Sequence, residues 1–334
     1  MVINGMRLKL NRFTTFAGAV TLTASTIGLS VSAVHSQSGV IKIDGSSTVY
    51  PITEKAAEGF QKSGGARVTV GISGTGGGFK KFCAGDTDIS NASRPILKKE
   101  IDACKAKGIK YIELPVAYDA LTVVVNEGNN WAKNLSTAEL KKIWAPGSQL
   151  KNWSQVRSGF PNVPIALFGP GADSGTFDYF TEAINGKAKQ SRKDFTASED
   201  DNVLVQGVSR SKGGLGYFGF AYYEANKSRL NAVSINGVAP SRQTVESGSY
   251  TPLSRPLFIY VNANSAKRPE VKKFVEYYLK NGRSLASSVR YIPLPGNSYS
   301  GVLARFNAGK TGSVFGGEEA IGLKISELLN RELK

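Results

Sequence analysis

Apolar positions run along this chain in two rhythms. Short runs rich in Val and Ile alternate with stretches where apolar residues recur every three or four positions. The first pattern reads as strands buried in a sheet and the second as helices lying on one. Strands are predicted at Ile41–Asp44, Arg67–Ile72, Asp86–Ser90, Tyr111–Val116, Leu121–Asn126, Ile165–Phe168, Leu215–Phe220 and Leu257–Asn262. Helices are predicted at Val49–Phe60, Lys98–Lys107, Ser136–Trp144, Phe177–Ile184, Val203–Val208, Pro269–Leu279 and near Glu318–Leu329. Ser136 with Glu139 three residues on forms a capping box, and Pro51 falls in a first helical turn, where proline is tolerated. Strands alternating with helices imply a mostly parallel sheet with helices on both faces, where ligands sit at the strands' carboxyl ends. The chain is expected to cross into a second domain at Ala117–Ala120 and to return near residue 256, with Leu121–Asn126 pairing beside Leu257–Asn262.

Three strand-to-helix junctions share one composition. Gly71–Phe82 (GISGTGGGFKKF) reads as a strand end, a glycine-rich turn and the start of a helix; Gly45–Thr48 (GSST) and Gly169–Thr176 (GPGADSGT) repeat the scheme. A helix start leaves backbone N–H groups without intrahelical partners, next to a partial positive charge, and so seats an anion. Glycine lets the backbone approach a ligand closely, and Ser or Thr adds a hydroxyl donor. One such junction is an ordinary helix cap; three of them favour a shared oxyanion site. A fourth loop, Asn91–Pro95, carries Arg94, which Pro95 biases toward an extended conformation. The acids of Ser198–Asn202 read as caps of the helix that follows.

Composition sharpens this picture. The 334 residues suffice for two domains, and 41% hydrophobic with 20% charged residues marks a globular chain. A net charge of +16 favours anionic partners, but the Lys and Arg are scattered without a long run, which argues against a nucleic-acid face. Residues 1–38 read as an export signal: Arg7, Lys9 and Arg12 precede an apolar stretch from Phe13 to Val34, with small residues near Ser32-Ala33. A retained membrane anchor is the alternative. An exported chain whose two cysteines are Cys83 and Cys104 is expected to join them, closing a loop worth roughly 3 kcal/mol; two free buried thiols are the alternative.

Several motifs point elsewhere and fail on context. Gly214–Gly219 matches G-x-G-x-x-G but lacks the strand before it and the helix after it that a dinucleotide site needs. Gly74–Gly78 continues into Phe79-Lys80-Lys81, not the Gly-Lys-Ser/Thr of a nucleotide loop. The single histidine is His35, inside the export segment, so no Ser–His–Asp system can be assembled around Ser174, and His-bearing metal sites fail likewise. No catalytic, metal or cofactor site is therefore expected. Trp131, Trp144 and Trp153 read as packing residues.

The runs DGSSTVYP (Asp44–Pro51), GTGGGFK (Gly74–Lys80), NASRP (Asn91–Pro95), DSGTF (Asp173–Phe177) and SEDDNVLVQGV (Ser198–Val208) together resemble the periplasmic phosphate-binding proteins of ABC transporters, the PstS family, and within it the SphX-like branch. The resemblance covers nearly the whole chain after the export segment, in the same order. It implies an α/β, two-lobed Venus-flytrap fold of type II with two hinge strands, lobe one spanning 39–117 plus 257–334 and lobe two 118–256. It also implies a periplasmic monomer that clamps inorganic phosphate and passes it to a membrane permease; another oxyanion (sulfate, arsenate), a phosphate-responsive sensor and a phosphate-ester hydrolase are the alternatives. Carried over by position, the ligand set is Ser47, Thr48, Thr75, Ser174, Gly175 and Thr176, with Ser93 beside Arg94. Well-known members place an arginine shortly before S-G-T and an acid near the Ser93-Arg94 loop; this chain has neither. Arg94 is expected to supply the cation instead, and Asp173 or an acid of Glu199–Asp201 to accept the proton of hydrogen phosphate.

Overall fold

The computed structural model describes residues 39–318, 321–323, 327, 328 and 331. Residues 1–38, where an export signal is predicted, lie outside them, as does part of the helix expected near Glu318–Leu329. In chain order come β1 (Ile41–Gly45), α1 (Tyr50–Lys62), β2 (Val68–Val70), α2 (Gly74–Ala84), β3 (Ile89–Ala92), α3 (Lys98–Ala106), β4 (Tyr111–Ala120) and β5 (Thr122–Asn126). Then follow β6 (Asn134–Leu135), α4 (Thr137–Trp144), β7 (Ala166–Pro170), α5 (Gly175–Asn185), β8 (Thr196–Ser198), α6 (Asp201–Arg210), β9 (Gly214–Phe218), α7 (Phe220–Asn226), β10 (Leu230–Ala232) and β11 (Ser234–Ile235). The chain continues with α8 (Arg242–Glu246), β12 (Ser254–Asn262), α9 (Pro269–Lys280), α10 (Gly282–Ser288) and α11 (Ser298–Asn307).

The strands build two five-stranded sheets, ordered β2-β1-β3-β12-β4 and β10-β5-β9-β7-β8. Each combines a parallel trio (β2-β1-β3 and β9-β7-β8) with antiparallel strands. The sheets are thus mixed, not mostly parallel. The expected pairing of β5 with β12 is also corrected: β12 lies between β3 and β4 in the first sheet, and β5 belongs to the second. The strand expected to end at Val116 continues through Ala117–Ala120, the stretch expected to carry the crossing. β4 runs unbroken to Ala120, and only Leu121 separates it from β5. β4 and β12 are buried along their whole length, Glu113, Asp119 and Arg255 included. A strand covered on both faces needs no apolar-polar alternation, so the charged positions looked like strand ends.

Helix packing follows the apolar spacing. Ile52, Ala56 and Phe60 of α1 are buried, and Phe60 meets Phe274 of α9 edge-on at 5.4 Å. Ser136 and Glu139 form the predicted capping box on α4. The glycine-rich turn proves to be helix: α2 begins at Gly74, so Gly76, Gly77 and Gly78 lie inside it. A Cβ on Gly78 would stand 2.5 Å from Cα of Gly45, so only glycine lets this helix start lie flat against β1. Cys83 on α2 and Cys104 on α3 are joined in a disulfide. Trp144 and Trp153 are fully buried. Among the described residues no helix is long and apolar enough to cross a membrane.

Candidate anion-binding site

Four helices start at the junction between the sheets. β1 and β2 launch α1 and α2 on one side; β7 and β8 launch α5 and α6 on the other. Direct contacts bring their first turns together. Thr48 Oγ1 lies 3.1 Å from Thr176 Oγ1, and Ser47 Oγ donates to Asp201 Oδ1 at 3.2 Å. Thr75 Oγ1 lies 3.2 Å from Ser93 Oγ and accepts from the Ser93 N–H at 3.2 Å. Gly175 closes the ring: a Cβ there would meet Thr75 Oγ1 at 2.5 Å and Ser93 Oγ at 2.8 Å. Ser174 caps α5, accepting from the Thr176 N–H at 3.1 Å. All of these hydroxyl residues are buried. The convergence places several positive helix ends beside several hydroxyl donors, the arrangement that favours an oxyanion.

The cation of this cluster is Arg255, which the sequence reading missed. It stands opposite Asp119 in the β12–β4 register. Its Nε and Nη2 donate to Asp119 Oδ2 at 3.1 and 2.9 Å, which fixes the guanidinium plane. Nη2 also reaches Thr176 Oγ1 at 2.9 Å and Thr48 Oγ1 at 3.4 Å, and Nη1 reaches the Gly175 carbonyl at 3.4 Å. Asp119 Oδ1 in turn accepts the Phe220 N–H at the start of α7. Burial raises the Asp119 carboxyl, and Arg255 opposes that shift. One signal was available: Ser254-Arg255-Pro256 repeats Ser93-Arg94-Pro95. The strand predicted from Leu257 left Arg255 outside it, whereas β12 begins at Ser254.

Arg94, next to Ser93, turns its guanidinium to acids. Its fork grips Glu100, Nη1 to Oε2 at 2.8 Å and Nη2 to Oε1 at 2.7 Å, while Nε donates to Asp178 Oδ2 at 2.8 Å. Glu100, on α3, is thus an acid beside this loop, and both its oxygens are taken up by the guanidinium. Asp173 is half-exposed and turns its carboxylate to Lys80 at 2.9 Å. Its contribution to the junction is a backbone carbonyl that accepts the Gly76 N–H at 2.7 Å.

Of the acids at Glu199–Asp201, Asp200 caps α6 through the Asn202 N–H, and Glu199 Oε1 accepts the Asp173 N–H. Asp201 is the one inside the cluster. It is 1% exposed, and Oδ2 has no hydrogen-bond partner among the described residues. Burial pushes it up to about 7, against the pull of Ser47, Arg255 and the Gly219 backbone N–H. A buried acid with one oxygen unsatisfied calls for a partner.

Two sheets joined by paired strands, with helix starts facing one another across the junction, define a two-lobed α/β binding protein. The model of the PBP superfamily domain matches residues 31–281. Protein SphX of Synechococcus elongatus is 54% identical over 304 residues, covering 89% of this chain and 90% of that protein. The phosphate-binding protein PstS of Staphylococcus haemolyticus is 40% identical over 270 residues, covering 78% of this chain and 83% of that one. The solved structure of a possible phosphate binding protein from Planctomyces limnophilus matches with a TM-score of 0.61 at 52% identity, covering 81% of this chain and 99% of that one. The chain belongs to the PBP superfamily and, within it, to the group of SphX and PstS proteins.

Proposed function

We propose that this protein binds inorganic phosphate outside the cytoplasm, between lobes formed by 39–117 plus 257–334 and by 118–256, and delivers it to an ABC-type permease. The observation that carries this reading is the meeting of four helix starts, the hydroxyls of Ser47, Thr48, Thr75, Ser93 and Thr176, and the Arg255 guanidinium at one buried point. Its relatives among the PstS proteins carry the name phosphate-binding.

The site's chemistry suits a tetrahedral dianion. A buried anion is tolerated only when nearly all its oxygens are paired. Each hydrogen bond to it contributes about 1.5–3 kcal/mol, so a handful reaches micromolar affinity, about −8 kcal/mol, after ordering costs. Thr48, Thr75 and Thr176 would donate to phosphate oxygens, together with backbone N–H groups of the helix starts, while Ser47, whose hydroxyl proton goes to Asp201, would hold that carboxylate in place. Arg255, held flat by Asp119, would supply the positive charge from the hinge. Asp201 would accept the phosphate's proton through Oδ2. Sulfate has no such proton and would meet a bare carboxylate, so it would be rejected by repulsion.

Calorimetry with phosphate, arsenate and sulfate tests this. Micromolar phosphate binding with sulfate excluded at pH 8 is the expected result. Submillimolar sulfate binding without a phosphate response would overturn it, as would turnover of a chromogenic phosphate ester.

A further inference from the structure

Arg94 and Asp178 form an ion pair across the junction. Arg94 follows β3 on the first-sheet side, Asp178 lies in α5 on the second-sheet side, and both side chains are 0% exposed. Each also has a counter-charge on its own side. Arg94 holds Glu100 with both fork nitrogens. Asp178 Oδ1 accepts no hydrogen bond among the described residues but has Lys189 Nζ 3.4 Å away. When the two sides part, Arg94 keeps its bonded partner and Asp178 keeps a nearby positive charge, which lowers the cost that breaking a buried pair otherwise carries.

We propose that the Arg94–Asp178 pair is a closure latch: it positions the lobes for the ligand and sets affinity without touching the anion. Closing adds one Nε–carboxylate bond to charges that are already partly neutralised. The closed form is favoured, yet opening stays reversible. Because apparent affinity scales with the fraction of protein in the competent state, loosening the latch weakens every oxyanion equally and leaves selectivity alone. Arg255 and Asp201, inside the cluster, would instead alter selectivity.

The inference rests on the phosphate reading for its affinity arm. Its second arm needs no ligand: fluorophores on the two lobes report the distribution of lobe separations in the free protein. Asp178→Asn keeps the shape and leaves Arg94 paired with Glu100. It should shift the free protein toward open forms, speed phosphate release about tenfold, and leave the phosphate-to-sulfate ratio unchanged. Adding Arg94→Gln should cost little more than the worse single change, because one contact is lost once. An unchanged lobe distribution in Asp178→Asn overturns the latch, and so do fully additive losses or a changed ratio. If Arg94→Gln does not fold, Asp178→Asn alone decides. A protein that ignores phosphate but opens on Asp178→Asn would refute the functional reading and keep the latch.

Discussion

Replacing Asp201 by asparagine changes the proposed site at one atom pair. Oδ1, which accepts from Ser47, has a counterpart in the amide oxygen; Oδ2, which has no partner among the described residues, becomes an NH2 donor. Phosphate then loses a charged acceptor for its proton. At about 1.5–3 kcal/mol per charged hydrogen bond, its affinity should fall roughly 10- to 150-fold. Sulfate gains a donor where it met a carboxylate, so its affinity should rise, and selectivity should fall by more than either change alone. The same exchange should occur in the unsubstituted protein through protonation. Asp201 is held at about 7, so below that pH its neutral form can donate to sulfate. The charged and titratable groups facing it are Arg255, Asp119, Tyr222 and Tyr291. Calorimetry with both anions at pH 6 and pH 8 reads all of this. Phosphate's own ionisation is common to both proteins and cancels in their ratio. Sulfate binding to the unsubstituted protein should strengthen from pH 8 to pH 6, while the variant's should stay flat. A variant whose phosphate affinity lies within twofold of the parent's would refute the assignment of Asp201.

Other outcomes follow from the same contacts. Arg255→Lys keeps the charge but loses the fork on Asp119, and should cost at least about tenfold in phosphate affinity by calorimetry. Gly175→Ala sets a methyl 2.5 Å from Thr75 Oγ1 and should likewise weaken binding about tenfold or more; an unchanged constant would remove Thr75 from the ligand set. Reducing the Cys83–Cys104 disulfide should lower stability by roughly 3 kcal/mol while the phosphate constant stays within twofold, read by thermal melts and titration. Asp201 is raised above its unfolded value near 3.9, so its contribution to stability is present at low pH and is lost as pH rises through about 7. Asp201→Asn should therefore flatten the ligand-free melting temperature between pH 4 and pH 7.

The helix starts were legible because the residues that cap a helix are also those that would grip an anion. Ser47, Thr48, Thr75 and Thr176 announced themselves by type and position. The charged members did not. Arg255 and Asp119 lie in strands buried on both faces, where a single charge looks like an interruption, and their meeting depends on a β4–β12 register between segments more than a hundred residues apart. Arg94 showed the opposite difficulty. Its loop position suited a ligand, but Glu100, six residues on, folds back to claim the fork. Asp201 sat among three consecutive acids of one helix start. Only packing tells the cap, Asp200, from the buried carboxyl beside Ser47.

The most direct test of the central claim is a crystal structure of the protein grown with phosphate. One tetrahedral anion should appear within hydrogen-bond distance of Thr48, Thr75, Thr176 and Arg255, with Asp201 Oδ2 on its protonated oxygen. An anion bound away from these groups, or hydroxyls of Thr48 and Thr75 turned toward separate clefts, would contradict the account.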